Sequence, residues 1–146
     1  MQQPQLCITR PATLENLPAL LETAELACLR AGASPAVRDE VRLVVEEASV
    51  NIITHGYRDA AAPGPITLAL GWDPSRLTIE IADRAPCFDP ATLAPPALDA
   101  AWEDRPIGGL GWHLVRQMVD EVHYRPDPDG GNHLTLVKQI HPIPTT

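Results

Sequence analysis

At 146 residues the chain is long enough for one domain, and its 45% hydrophobic but only 4% aromatic content indicates a globular core of aliphatic side chains. The net charge of −8 and the single lysine, Lys138, exclude the clustered positive charge that binding to nucleic acid or an anionic membrane surface needs. Three cysteines without metal-ligand spacing, no signal-like segment and no bilayer-spanning apolar run predict a soluble, cytoplasmic protein with reduced thiols.

The predicted elements follow the order β-α-α-β-β-loop-α-β. A short strand, Leu6 to Arg10, comes first, and a helix follows in which apolar residues recur at helical spacing from Thr13 to Leu29. Ser34 and Pro35 form a helix N-cap and a first helical position. A longer second helix therefore begins there, and we expect it to end near Gly56.

The second half of the chain predicts a hairpin, a long loop, a helix and a strand. The hairpin strands are Ile66 to Trp72 and Arg76 to Ala82. An Ala- and Pro-rich segment at about residues 86–107 shows no steady period, and in a compact domain such a segment is either disordered or a functional lid. The last helix is expected at about Leu110 to Glu121, and the last strand at about His133 to Ile140.

The second helix carries polar side chains along the edge of its apolar stripe. On a wheel of roughly 100° per residue, Glu47 and Asn51 lie one turn apart at the border of the stripe, Glu46 lies opposite, and His55 lies inside it. Glu46 is interpreted as a solvated charge, and His55 as a hydrogen-bonded core residue rather than a ligand. By themselves, Glu47 and Asn51 are either a structural pair at the rim of the core or a pair with a chemical role.

Glycines lie at the beginning of the last predicted helix, at Gly108, Gly109 and Gly111. Backbone N–H groups at a helix N-terminus can hold phosphate groups. A glycine-rich loop is about equally often only a turn, so both interpretations stay open. The segment lacks the lysine of a P-loop, and it does not follow the first strand of a βαβ unit. Neither a P-loop nor a Rossmann interpretation therefore applies.

A carboxylate, Asp83, directly follows the second hairpin strand. Most aspartates in such a position cap a turn. A carboxylate there can equally accept a hydrogen bond from an exocyclic amine such as that of adenine. The local sequence leaves both interpretations open.

Taken in order, these segments resemble the N, G1 and G2 boxes of the Bergerat-type ATP-binding fold of gyrase, heat-shock chaperone, histidine-kinase and mismatch-repair ATPases. From about residue 37 to 140 the chain more narrowly resembles the stand-alone anti-sigma factor serine kinases of bacterial partner-switching systems. The resemblance implies an α+β two-layer sandwich, with a mixed, mostly antiparallel sheet and helices on one face, in a single histidine-kinase-like ATPase domain over residues 1–146. Five motifs carry it: Glu47-Ala48-Ser49-Val50-Asn51, Asp83-Arg84-Ala85-Pro86-Cys87-Phe88-Asp89-Pro90, Gly108-Gly109-Leu110-Gly111, Met118-Val119-Asp120-Glu121-Val122 and Gly131-Asn132-His133-Leu134-Thr135-Leu136.

The resemblance also implies roles for individual residues. Asn51 would coordinate the Mg²⁺ that bridges the ATP phosphates, and Glu47 would act as general base on a substrate serine. Asp83 would bind the adenine amine, with support from Thr135, and the segment at 86–107 would be the ATP lid. The other nucleotide contacts it implies are Ala85, Phe88, Arg105, Gly108, Gly109, Leu110 and Gly111.

The implied function is an ATP- and Mg²⁺-dependent protein serine kinase that sequesters a sigma factor and phosphorylates a STAS-type antagonist protein, acting as a homodimer. One position departs from the family, because Ala85 stands where the G1 box usually has glycine. An alternative is therefore a binding module that kept the fold and lost turnover. A third interpretation, the detached catalytic domain of a histidine kinase, is disfavoured because the first helix contains no histidine to accept phosphate.

Overall fold

The computed structural model describes residues 3–88 and 109–140. Within these ranges the chain forms a single antiparallel sheet and three α-helices. The strands are β1 (Leu6–Pro11), β2 (Pro65–Trp72), β3 (Arg76–Asp83), β4 (Glu121–Pro126) and β5 (Asn132–Gln139). The helices are α1 (Leu17–Ala31), α2 (Pro35–Asn51) and α3 (Gly109–Met118).

The sheet has the order β1-β2-β3-β5-β4, and every pairing between these five strands is antiparallel. In β3 the side chains alternate, so that Leu77, Ile79 and Ile81 are buried on one face, followed on that face by Asp83. The buried residues of α1 and α2 belong to the same hydrophobic core. The predicted two-layer α+β sandwich is therefore confirmed, and β3 leads from the core to Asp83.

The helix boundaries follow local capping chemistry. The hydroxyl of Ser34 accepts a hydrogen bond from the backbone N–H of Val37 at 3.2 Å, and Pro35 occupies the first turn of α2, as predicted. Gly32 ends α1 with φ +74°, a conformation that glycine adopts without steric cost. None of the helices in the described ranges is long and apolar enough to cross a membrane.

The end of α2 differs from a regular helix. After Asn51 the chain continues as a π-helical turn, Ile52–Gly56, in which the backbone bonds span five residues instead of four. A wheel with a constant angular step does not hold through that turn. The prediction that His55 lies in the core is therefore wrong, because His55 is only half-buried. Partial burial and the nearby positive charge of Arg58 lower the pKa of its imidazole.

The strand β4 was missed by the sequence patterns, which predicted a helix as far as Glu121. Instead α3 ends at Met118, and β4 pairs with β5 at the edge of the sheet. At the end of α3, the Nζ of Lys138 on β5 donates to the carbonyl oxygen of Met118 at 2.6 Å. That bond satisfies a carbonyl at the helix end that would otherwise lack a partner.

Lys138, the only lysine, connects three elements. Its side chain is 15% exposed, and Nζ also donates to the carboxylate of Glu40 on α2 at 2.6 Å. The ammonium group therefore joins β5, α2 and the C-terminal end of α3. It lies at the opposite end of α3 from the glycine-rich turn, so its role in the described structure is structural.

We expect Lys138→Met to reduce the free energy of unfolding by about 2 kcal/mol, because it leaves Glu40 and the Met118 carbonyl without their charged donor. Urea denaturation of the purified protein measures the effect. Arg42→Met, which removes an exposed cation on α2, is the matched control and should change stability by less than about 0.5 kcal/mol. Equal losses in both variants would contradict a special role for Lys138.

Candidate functional site

Asp83 is a buried carboxylate with one oxygen in use. The residue is 9% exposed, and its Oδ1 accepts hydrogen bonds from the N–H of Ala85 at 2.8 Å and from Nδ2 of Asn132 at 2.9 Å. Within the described structure, Oδ2 accepts no hydrogen bond. Burial raises the pKa of this carboxyl, and the two hydrogen bonds oppose the rise. The site therefore presents one acceptor oxygen to a donor from outside.

Asn132 is the side chain that organises this site. It lies directly across from Asp83 in the register of β3 and β5. Its amide donates to Asp83, while its Oδ1 accepts from the backbone N–H of Phe88 at 2.8 Å and from the hydroxyl of Tyr124 at 2.6 Å. Sequence reasoning quoted Asn132 in a motif without a role. The signal that identifies it is the strand register, which one sequence does not reveal.

Thr135 does not lie where the resemblance implied. The register pairs it with Glu80 on β3 and with His123 on β4, away from Asp83. Since side chains alternate along a strand, Thr135 stands on the face opposite Asn132 and Asp83. The structure therefore does not bring Thr135 to Asp83. Asn132, three residues earlier, is the residue of β5 that supports the carboxylate.

Gly131 allows β5 to approach the end of β3. Its φ is +119°, and a Cβ at this position would overlap the carbonyl oxygen of Asp83. Its own carbonyl oxygen accepts a hydrogen bond from Sγ of Cys87 at 3.2 Å. The turn before β5 is thereby closed onto the segment that follows Asp83.

Ala85 fills a space that a second glycine leaves open. The residue is 2% exposed, and its methyl carbon would lie 3.3 Å from a Cβ placed on Gly56 at the end of the π-helical turn. No residue other than glycine has a positive φ in the described ranges, so Ala85 has an ordinary backbone conformation. The methyl group that departs from the family pattern is therefore packed against the helix end, which accommodates it.

Tyr57 holds the same segment from the other side, and sequence reasoning missed it. Its hydroxyl donates to the carbonyl of Pro65 at 2.6 Å and accepts from the N–H of Arg84 at 2.7 Å. Its ring lies so close to Gly64 that a Cβ there would be 2.8 Å from the ring carbon that bears the hydroxyl. Partial burial raises the pKa of the Tyr57 hydroxyl.

Glu47 and Asn51 lie one turn apart on α2, and both are half-buried. Glu47 packs against the first turn of α3, where a Cβ placed on Gly111 would lie 3.2 Å from the carboxyl carbon of Glu47. The amide of Asn51 makes no hydrogen bond with any residue that the structure describes. Glu46 is also half-buried, contrary to its expected solvation, so contact with α3 rather than exposure distinguishes Glu47.

The remaining predicted site residues fall into two groups. Gly109 and Leu110 form the start of α3, and Phe88 is 48% exposed, with its backbone N–H bound to Asn132. Arg105, Gly108 and residues 89–107 of the predicted lid lie outside the described residues. The structure thus brings three elements together. Ala85, after β3, lies against Gly56 at the end of the turn that follows α2, and Glu47 of α2 lies against Gly111 in the first turn of α3.

Comparison with known proteins assigns the family. Residues 10–138 match the histidine kinase-like ATPase domain family. The chain belongs to this family. The match begins near the end of β1 and reaches Lys138 in β5, so it includes α2, β3 and α3, which position the site.

Two named relatives are protein kinases. The chain is 31% identical over 109 residues to the serine/threonine-protein kinase BtrW of Bordetella bronchiseptica, and the match covers 75% of each chain. It is 29% identical over 93 residues to the serine-protein kinase RsbW of Bacillus mycoides, covering 61% of this chain and 57% of that relative. The latter match spans less than two thirds of the relative. The expected family and a serine-kinase type of enzyme are confirmed by these relatives.

Two solved structures share the fold. The RsbU and RsbW domains of a Mycobacterium tuberculosis protein superpose with a TM-score of 0.65 at 18% identity, covering 97% of this chain and 34% of that one. The SiaB–SiaC complex of Pseudomonas aeruginosa gives a TM-score of 0.62 at 16% identity, covering 93% of this chain and 90% of that one. At these identities the likeness shows the fold.

Replacing Asp83 should reveal the cost of burying its charge. Because its pKa is raised above the ordinary 3.8, the folded state holds the proton more tightly than the unfolded chain, so stability falls as the pH rises through the folded pKa. Asp83→Asn removes that loss and keeps an acceptor oxygen for Ala85 and Asn132. We expect its free energy of unfolding to exceed that of the wild type by a margin that grows as the pH rises from about 4 and then levels off.

Urea denaturation at a series of pH values from about 4 to 7 measures this margin. Asp59→Asn, at an exposed position after the π-helical turn, controls for the loss of one negative charge. A margin that shrinks with rising pH, or one that Asp59→Asn reproduces, would contradict the effect assigned to burial.

Proposed function

We propose that this protein is an ATP- and Mg²⁺-dependent protein serine kinase that binds a sigma factor and phosphorylates a STAS-type antagonist protein. The observation that carries the proposal is the placement of Glu47 and Asn51 on α2, with Glu47 against the first turn of α3. A carboxylate and an amide there adjoin a helix N-terminus, which favours phosphate groups. The names of BtrW and RsbW support the same class of reaction.

Asp83 suits the adenine of ATP. An ionised carboxylate accepts hydrogen bonds and donates none, and its Oδ2 is unused by the described residues, so an exocyclic amine is a matching donor. The bonds from Ala85 and Asn132 fix the orientation of the carboxyl group. We assign adenine binding to Asp83, with Asn132 rather than Thr135 as its support. Phe88 follows at the start of the proposed lid.

Asn51 suits a Mg²⁺ ion. Its amide oxygen is a hard, neutral ligand, and Mg²⁺ usually retains several waters and takes few ligands from the protein. When bound, the ion neutralises charge on the phosphates of ATP. The protein supplies the rest of the positive field through the N–H groups at the start of α3, which include Gly109, Leu110 and Gly111, and we propose that Gly108 and Arg105 add to it.

Glu47 is the proposed general base. Its carboxylate lies beside the turn proposed to hold the phosphates, which is where a substrate hydroxyl must arrive. As the serine oxygen attacks the γ-phosphorus, Glu47 accepts the hydroxyl proton, and ADP leaves with the bridging oxygen. The main contributions to rate are then positioning and charge neutralisation, because this transfer requires little other chemistry from the protein.

The proposed partners follow from the resemblance to the partner-switching kinases. We propose a sigma factor and its antagonist as protein partners, assembly as a homodimer, and action in the cytoplasm, where both partners and ATP occur. We also propose that residues 86–107 act as the lid of a single ATPase domain.

Ala85 no longer supports the alternative of a module without turnover, because Gly56 provides the space for its methyl group. We expect Ala85→Gly to change the Kd for Mg-ATP by less than threefold. The same variant should lower the free energy of unfolding by about 1 kcal/mol, since a buried methyl group is lost and glycine is more flexible when unfolded. Calorimetric titration and urea denaturation measure the two effects. A tenfold gain in ATP affinity would show that the alanine impairs binding.

Glu47→Ala should lower serine phosphorylation by at least about 100-fold, because the base is removed. The antagonist substrate is identified by co-purification from the native cell and mass spectrometry, and transfer is measured as acid-stable phosphoserine from labelled ATP. Glu46→Ala removes the neighbouring charge and is the matched control, with transfer expected within threefold of the wild type. Unchanged transfer in Glu47→Ala would refute the assignment of the base. Tight Mg-ATP binding without any transfer by the wild type would refute the kinase proposal.

A further inference from the structure

We propose that Gly111 is a positioning residue for Glu47. Because glycine has no side chain, it leaves the space in which the carboxylate of the base lies. Among the described residues, and apart from its chain neighbours and the backbone of its own helix, the three heavy atoms nearest to a Cβ placed on Gly111 all belong to Glu47. They are a carboxylate oxygen in direct overlap, the carboxyl carbon at 3.2 Å and the Cβ of Glu47 at 3.9 Å. The side chain of Glu47 therefore lies along the Cα of Gly111.

Within the described residues, the backbone conformation gives no other reason for glycine at this position. Gly111 lies inside α3, and the glycines with positive φ in the described ranges are Gly32, Gly130 and Gly131. Alanine forms helix better than glycine, so helix propensity favours a methyl group here. The close approach of Glu47 is the observed feature that opposes it.

The neighbour of Gly111 differs in kind from that of Gly131. A Cβ on Gly131 would overlap the backbone of Asp83, which cannot move without deforming β3. At Gly111 the obstacle is the far end of a flexible side chain. Glu47 can rotate away, so an added methyl group displaces the carboxylate while the fold remains intact.

This arrangement links two parts of the reaction proposed above, on which the inference rests. The first turn of α3 is proposed to hold the phosphates, and the same turn determines where Glu47 lies. The base and the phosphate site are therefore positioned by one piece of backbone. A displacement of about 1 Å between a base and its target can reduce the rate by about 100-fold, so such a common support has a functional effect.

Gly111→Ala is the test. We expect its melting temperature to equal that of the wild type within about 2 °C, its Kd for Mg-ATP to change less than threefold, and its phosphotransfer rate to fall at least tenfold. A fall in ATP affinity as large as the fall in rate would overturn the inference, because the glycine would then serve the phosphates directly.

A second variant, Glu47→Asp, makes the test specific for the contact between Glu47 and Gly111. The shorter side chain withdraws the carboxylate by one methylene group from the added methyl. Glu47→Asp alone should be slow, and addition of Gly111→Ala should slow it by less than twofold further. Independent, multiplicative effects of the two substitutions would show that they do not act on one contact.

A crystal structure of Gly111→Ala gives a readout without activity. We expect the carboxylate of Glu47 to occupy a different rotamer while the backbones of α2 and α3 superpose on those of the wild type. An unmoved carboxylate overturns the inference even in an active kinase. A moved carboxylate supports the inference even where transfer to the chosen antagonist fails. The experiment therefore distinguishes failure of the proposed function from failure of this inference.

Discussion

The buried carboxylate of Asp83 is the constraint on which the site depends. Placing an aspartate at the end of an apolar strand costs free energy unless its oxygens are hydrogen-bonded, and only Oδ1 is satisfied within the described structure. Asn132 can reach it because β3 and β5 pair in one register, and Gly131 permits the close approach. A carboxylate with one oxygen lacking a hydrogen bond reduces stability. The same oxygen is available to accept a hydrogen bond from a ligand, so the loss of stability accompanies a binding function.

The helix α2 connects this carboxylate to the phosphate end of the proposed site. At its C-terminal end, Gly56 contacts Ala85 in the segment after β3, and two and a half turns earlier Glu47 contacts Gly111 on α3. Each contact depends on a glycine opposite a side chain. The methyl group of Ala85 fits here because the residue that faces it, Gly56, has no side chain. A motif that lacks one glycine has to be judged together with its packing partner.

The parts of the site that follow local rules could be predicted from the sequence. Helical spacing identified Glu47 and Asn51 as neighbours, and capping residues at Ser34 and Pro35 located the start of α2. Asp83 was recognised because a charge follows an apolar strand. These signals depend on residues close in the chain, where the geometry is regular.

The errors arose where distant residues decide the outcome. Thr135 was named from the resemblance, whereas the pairing of β3 with β5 places Asn132 across from Asp83, and this register is not visible in one sequence. The strand β4 was missed because the last helix was extended to Glu121, whereas α3 ends at Met118, whose carbonyl oxygen accepts from Lys138 on β5. The same contact occupies the only lysine of an acidic chain away from the glycine-rich turn. Binding of a polyphosphate would consequently rely on backbone N–H groups, the arginines and a metal ion, which makes the position of the first turn of α3 more important than the net charge of the protein.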